Sequence, residues 1–172
     1  MRFVVTGEWS RNGLLQLIVV LYVIYVGGLW VTNALLYFNK MSLNPASVVE
    51  YYLGNEERFL QPRSYQGLLE VSHFHLFAMG MLLLVLTHLM LFVPISNRVK
   101  AWLIVLPFVS ALIDEGAGWL VRFAHPGFAV VKVAGFLLLQ GSLAALIFIS
   151  LWAVFRGSSK SYRSGEGTPS GS

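Results

Sequence analysis

Four long apolar stretches, broken by short polar segments, run along the chain at about Leu14 to Phe38, Leu68 to Pro94, Ala101 to Phe123 and Phe128 to Phe155. Each is long enough to meet the ~18 to 20 apolar residues that an α-helix needs to cross a bilayer. The pattern therefore predicts an all-α membrane protein, a four-transmembrane-helix bundle. ISNRVK separates the second and third stretches and HPG the third and fourth. Links this short impose antiparallel helical hairpins, so the last three helices are neighbours. The one long connection spans 39–67. Inside it Asn44 and Pro45 precede ASVVEYYL and Gly54. A capping side chain, a proline at the first helical position and a glycine past the end predict a short interfacial helix. Beyond Phe155 the tail 156–172 is rich in Ser and Gly with no apolar face, and is expected to be disordered.

Composition agrees with this division. Of 172 residues 56% are hydrophobic and 12% charged, about half the charge of an ordinary soluble domain. The net charge of +4 comes from basic residues scattered over loops and ends, with no cluster on one face, and nucleic acid is not expected as a partner. The absence of cysteine excludes disulfides, thiolate-ligated zinc, iron–sulfur clusters and covalently attached c-type haem. MRFVVTGEWSRNG, ahead of the first apolar run, has no small-residue cleavage site, so that run is expected to remain as an anchor. Seven basic residues (Arg2, Arg11, Arg98, Lys100, Arg156, Lys160, Arg163) fall on one side of the predicted topology. Five (Lys40, Arg58, Arg63, Arg122, Lys132) fall on the other. By the positive-inside rule both termini are cytoplasmic and the 39–67 loop is external, in a multi-pass membrane protein. Tyr37, Phe38, Tyr51, Tyr52, Phe59 and Tyr65 crowd the external side, as an aromatic belt at headgroup depth would. Gly27, Gly28, Gly135 and Gly141 offer small surfaces for close helix approach.

Three of the four histidines lie in GLLEVSHFHLFAMGMLLLVLTHLMLF: His73 and His75 at the external entry of the second span, just after Glu70, and His88 in its inner third. Ionisable groups at membrane depth are costly and mark sites or pathways by default. His73 and His88 are fifteen residues apart, ~60° out of phase and ~22 Å along the axis, so they share a face, while His75 lies ~160° from His73. Imidazoles projecting into a helical bundle suit b-type haem, and His125 is the one histidine elsewhere, on the external side. An external haem would use His125 with His73 or His75. An inner one at His88 would need an unusual sixth ligand such as Met90. Plain helix-packing histidines are the competing explanation. HFH followed by Met79 and Met81 also offers imidazole and thioether ligands suited to copper, with His73, His75 and Met79 as the set. Zinc would prefer the external cluster with Glu70.

The third span carries Asp114 and Glu115 in LIDEGAGWLVRF. Two adjacent carboxylates inside a membrane require pairing, neutralisation or water. Glu115 and Arg122 share a face but stand ~10 Å apart along the axis, beyond a direct pair, so Arg122 is expected to snorkel outward. Two roles are open for the carboxylates. One is an interhelical clamp, with His88, Asn33 or Gln140 as partner. The other is a proton relay or quinol site in which a carboxylate accepts the proton released on oxidation. Gly116 and Gly118 beside them allow close approach of a helix or a porphyrin. The chain has no phosphate-binding glycine loop, nucleophile elbow, HExxH or dinucleotide fingerprint.

EVSHFHLFAMGMLLLVLTHLMLF and the following DEGAGWLVRFAHPGFAVV resemble small uncharacterised four-span bacterial inner-membrane proteins associated with multihaem cytochromes. The shared features are a His-x-His at the start of the second span, a later His, and an acidic-to-Trp-to-Arg run in the third, over Tyr51 to Leu139. The resemblance implies a respiratory setting. A fainter likeness is to one half of haem A synthase, where a glutamate precedes a haem-ligating histidine at the external end of a second helix, as Glu70 precedes His73 and His75. There the fourth helix supplies the partner histidine; here His125 stands just before that helix. The expected function is a membrane subunit of a respiratory electron-transfer complex, with haem b, linking quinol to a cytochrome partner and lying among other membrane subunits. The alternatives are a cofactor-free accessory subunit and a copper-binding membrane protein.

Overall fold

A computed structural model describes residues 13–165, with side chains up to residue 155. Arg2, Arg11 and the rest of the segment ahead of the expected anchor, up to residue 12, lie outside the described residues, as do residues 166–172 of the tail. Among the described residues there are five α-helices: α1 (Gly13–Lys40), α2 (Pro45–Leu53), α3 (Tyr65–Met90), α4 (Asn97–Phe123) and α5 (Ala129–Gly165), with a 3₁₀ turn at Pro126–Phe128. Four are long and apolar enough to cross a membrane: α1, α3, α4 and the first part of α5, to Phe155. Their outer faces carry bare apolar side chains; Phe74, Phe77 and Phe148 are each about 70% exposed. Only hydrocarbon or another apolar surface covers a protein of this kind.

The boundaries follow local chemistry. α3 ends at Met90, four residues before Pro94, because the residue preceding a proline is pushed out of the helical region and the chain turns through 91–95. The link has the expected six residues but lies earlier than ISNRVK, at 91–96, since α3 ends at Met90 and α4 starts at Asn97 after Ser96. α5 overruns the expected end at Phe155 and stays helical to Gly165, so the first part of the expected tail is not irregular. No proline interrupts the backbone ladder before Pro169, and propagation adds one hydrogen bond per residue fixed.

α5 is the hub. It packs most extensively on α4 and then on α1, while α3 rests chiefly on α4. Buried residues of α3 (Ser72, Leu83, Leu86, Met90) recur at helical spacing and point into this junction. Away from α2 the core is apolar: Val26, Leu83, Leu86, Met90, Leu143 and Leu146. α2 forms as the Asn44-Pro45 signal requires, with Asn44 Oδ1 accepting from the Ala46 amide at 3.0 Å. It lies across α4 and α5, with Val48 and Tyr52 buried against Val121 and Ala129. Gly54 has φ +82°, and a Cβ there would stand 2.5 Å from the Leu60 carbonyl oxygen, so only glycine closes this turn.

Two of the six belt aromatics are packing residues instead. Tyr37 is buried and stacked on Phe136 with ring centroids 3.7 Å apart, and Tyr52 fills the notch at Gly118. Phe59, at 90% exposure on the tip of the 55–60 turn, is the opposite extreme. Of the glycines expected at helix contacts, Gly135 and Gly118 meet neighbours, whereas Gly27, Gly28, Gly116 and Gly141 face open space.

Candidate functional site

The polar residues of the membrane region gather near the α2 end of the bundle. Counting back from the helix ends there, Asn33 lies ~10 Å below Lys40, His75 ~15 Å below Tyr65 and Glu115 ~12 Å below Phe123, so the three occupy one level.

On one side of α4, Glu115 faces α3. The Ser72 hydroxyl donates to Glu115 Oε1, and the Trp119 indole N–H donates to Ser72 Oγ at 2.7 Å. His75 Nδ1 stands 3.1 Å from Glu115 Oε2. A carboxylate only accepts, so Nδ1 carries a proton, and in the neutral ring Nε2 keeps its lone pair. On the other side of α4, Asp114 faces α5. Lys132 Nζ lies 2.8 Å from Asp114 Oδ1 and also donates to the Asp114 main-chain carbonyl at 2.9 Å. Gly135, one turn further along α5, allows this approach: a Cβ there would stand 3.0 Å from the Asp114 backbone.

The interhelical pairing of the two carboxylates is thus present, but with partners other than His88, Asn33 and Gln140. Lys132 reaches Asp114 because its long arm extends from the first turn of α5, and His75 reaches Glu115 because it shares the α4-facing side of α3 with Ser72. Lys132, which the charge count places among external basic residues, is buried in this pair. Removing it changes the count to seven against four and strengthens the same orientation.

Arg122 donates from Nε to the Arg63 carbonyl at 2.7 Å and so ties α4 to the loop after α2 rather than to Glu115. Arg63 in turn lies 4.1 Å above the Tyr51 ring, and its amide donates to the Tyr52 carbonyl. Burial, with the charges of Asp114 and Glu115 adding, pushes the Tyr52 hydroxyl above the ordinary tyrosine range. Glu70 is exposed and accepts from Gln66 at 3.0 Å.

Two cavities meet at His75. The smaller, about 130 Å³, lies between α3 and α4 and is bordered by His75, Met79, Asp114, Glu115 and Asn33. The larger, about 390 Å³, is an apolar cleft between α1 and α3, bordered by Tyr22, Leu29, Trp30, Val85 and again Asn33, His75 and Met79. The Tyr22 hydroxyl bridges the two helices by donating to the Leu82 carbonyl at 3.0 Å. The cleft thus runs along the apolar faces of two membrane helices and ends on a histidine held by a carboxylate.

The other expected ligands are not gathered here. His73 and His88 are exposed, each edge-on to a neighbouring phenylalanine, Phe74 and Phe92. His125 is exposed and accepts from the Gly127 amide through Nδ1, capping the turn into α5. Of the expected copper set, His75 and Met79 border the cavities, whereas His73 borders neither. Among the described residues no three His, Asp or Glu side chains converge as a metal cage. Ser72, Trp119 and Lys132 were not anticipated as partners. The available signal was Lys132 itself, a lone cation in an apolar span that also faces a carboxylate span.

No curated protein and no solved structure matches the chain. A family model described as a transmembrane helical domain matches residues 42–161, which takes in α2, α3, α4 and most of α5 and therefore Ser72, His75, Asp114, Glu115 and Lys132. The chain belongs to this family of transmembrane helical domains, Aq_1264_TM.

Proposed function

We propose that the protein is a membrane subunit of a bacterial respiratory assembly that binds quinol in the cleft between α1 and α3 and passes its electrons towards a cytochrome partner. The observation that carries this reading is the placement of His75: it borders both cavities while its Nδ1 is held on Glu115. Nε2 is then a fixed acceptor for a hydroxyl at the end of an apolar slot. A quinol presents that combination, two hydroxyls on an apolar body with a long hydrocarbon tail. One hydroxyl donates to Nε2; as the first electron leaves for the cytochrome partner that proton passes to Nε2 and Glu115 stabilises the imidazolium, and the second electron leaves for the same partner as the other hydroxyl gives its proton to water. Asp114 and Lys132, paired on the other side of α4, hold the helix that presents Glu115.

In native membranes, a photoreactive azidoquinol should label the α1 and α3 segments that border the cleft, and His75→Ala should abolish that labelling. Labelling confined to other segments would sink the quinol site.

The same dyad supports a second reading. A metal-ligating histidine ordinarily donates its other ring N–H to a carboxylate, as His75 does. His75 Nε2 would then hold the iron of a b-type haem, which would supply one-electron transfer. The chain fits one imidazole ligand at this place and not two, because α1 contains no histidine and His73, His88 and His125 border neither cavity. A b-type α-band in the dithionite-reduced spectrum that disappears in His75→Ala would support this reading. Its absence in protein purified with its native partners would leave the quinol site alone.

A further inference from the structure

Asn33 is an amide side chain within the apolar part of α1, two turns before the helix ends at Lys40 and surrounded in sequence by LWVTNALLYF. An asparagine in a membrane helix ordinarily hydrogen-bonds to a neighbouring helix, because an unpaired amide in hydrocarbon is costly. Among the described residues the Asn33 side chain makes no hydrogen bond, whereas nearby polar groups of α1 do: Trp30 donates to the Gln140 carbonyl of α5 and Thr32 to carbonyls of its own helix. Asn33 is only partly exposed and borders both cavities, as His75 does. It therefore faces His75 across the cleft at the same depth, from the helix that rests chiefly on α5.

We infer that Asn33 is the second polar contact for the headgroup, so that the ligand bridges α1 to α3 and is selected for two neighbouring oxygen functions on an apolar ring. This rests on the quinol reading above. The division of labour follows from the chemistry of each side chain. His75 Nε2 only accepts, so it takes the ionising hydroxyl; the Asn33 amide both donates and accepts, so it holds an adjacent oxygen substituent whether or not that oxygen carries a proton. The hydrocarbon tail then lies along Leu29, Val85 and Tyr22. Asn33 is a positioning and specificity residue and takes no part in the proton step.

The test is calorimetric titration of the detergent-purified full chain with a decyl-tailed dimethoxybenzoquinol kept reduced under nitrogen. A decyl-tailed phenol, with one oxygen function instead of several, is the comparison ligand. Asn33→Leu and Asn33→Ala should each weaken the quinol about ten-fold, as loss of one hydrogen bond does, and leave the phenol within two-fold of wild type. Asn33→Gln should recover part of the difference. Two substitutions of different size, each checked by thermal melting, separate a binding effect from misfolding. Quinol that binds wild type and fails to bind His75→Ala, yet binds both Asn33 variants at full strength, would overturn the role of Asn33 alone. Failure of wild type to bind quinol at all would overturn the quinol reading and this inference with it. Equal weakening of quinol and phenol would assign Asn33 to helix packing and also overturn it.

Discussion

Asp114 and Glu115 are consecutive residues of one membrane helix, and each has a basic partner within 3.1 Å, yet the two sides of α4 are built for different duties. The carboxylates are almost equally buried, at 18% and 19% side-chain exposure; their partners are not, Lys132 at 9% and His75 at 57%. Residues adjacent on a helix point ~100° apart, so one carboxylate meets α5 and the other α3. The α5 side is closed: a permanent cation, a second bond to the main chain and a glycine contact hold Asp114 against α5. The α3 side is open: a titratable ring is oriented by Glu115 but presents its other nitrogen to a cleft. Burial of an acid therefore does not distinguish a clamp from a reactive site. Access to its partner does.

The largest expected effect breaks the closed side. Lys132→Met leaves the Asp114 carboxylate without its cation, and breaking one half of a buried pair costs about 3–5 kcal/mol. Unfolding in mixed micelles with rising SDS should show that loss, and Lys132→Met combined with Asp114→Leu should recover most of it, since no charge is then stranded. If the single variant unfolds like wild type, the pair is not a clamp.

A smaller effect is expected from geometry alone. Gly135→Ala puts a Cβ 3.0 Å from the Asp114 backbone, where the neighbour is main chain and not a flexible side-chain end, so α4 and α5 must part slightly. Overpacking of this kind costs about 1–3 kcal/mol. Gly27→Ala is the matched control, with nothing within 4 Å of its added methyl. Equal stability of the two variants in the same SDS titration would remove the close contact from the account of the closed side.

How much of this was legible in the sequence depends on whether a residue's partner is near in the chain. The four spans were, because apolar length alone decides them. So was α2, whose Asn44, Pro45 and Gly54 act within a few residues of the helix they delimit. That His75 and Glu115 stand as ionisable groups at membrane depth was legible too. Their pairing was not: it joins residues 40 positions apart and depends on how α3 is rotated against α4. Lys132 was assigned to topology because a lysine near a helix start ordinarily snorkels to the headgroups, and only the 18-residue separation folded by the HPG turn brings it onto Asp114. Tyr37 and Tyr52 read as belt residues because aromatic composition does not reveal that α2 folds back over α4 and α5.

The smallest expected change in stability sharpens the open side most. Glu115→Gln removes a charge but keeps the shape, and the Ser72 hydroxyl still finds an oxygen to donate to, so stability should move by no more than about 1 kcal/mol. The contact with His75 changes character. An amide NH₂ facing Nδ1 is a donor, so Nδ1 must become the acceptor and the ring proton moves to Nε2. Wild-type His75 presents a lone pair to the cleft and suits a quinol hydroxyl; in the variant it presents an N–H and suits a quinone carbonyl. Titrating both redox forms of the same decyl-tailed ligand should therefore show the quinol-to-quinone affinity ratio falling, about a hundred-fold if the quinol complex loses one hydrogen bond and the quinone complex gains one, each worth about ten-fold. Asp114→Asn, on the closed side, should leave that ratio unchanged in protein that remains folded. A ratio that moves with Asp114 and not with Glu115 would reverse the assignment of the two sides. A ratio that moves with neither would mean that Glu115 does not set the tautomer of His75.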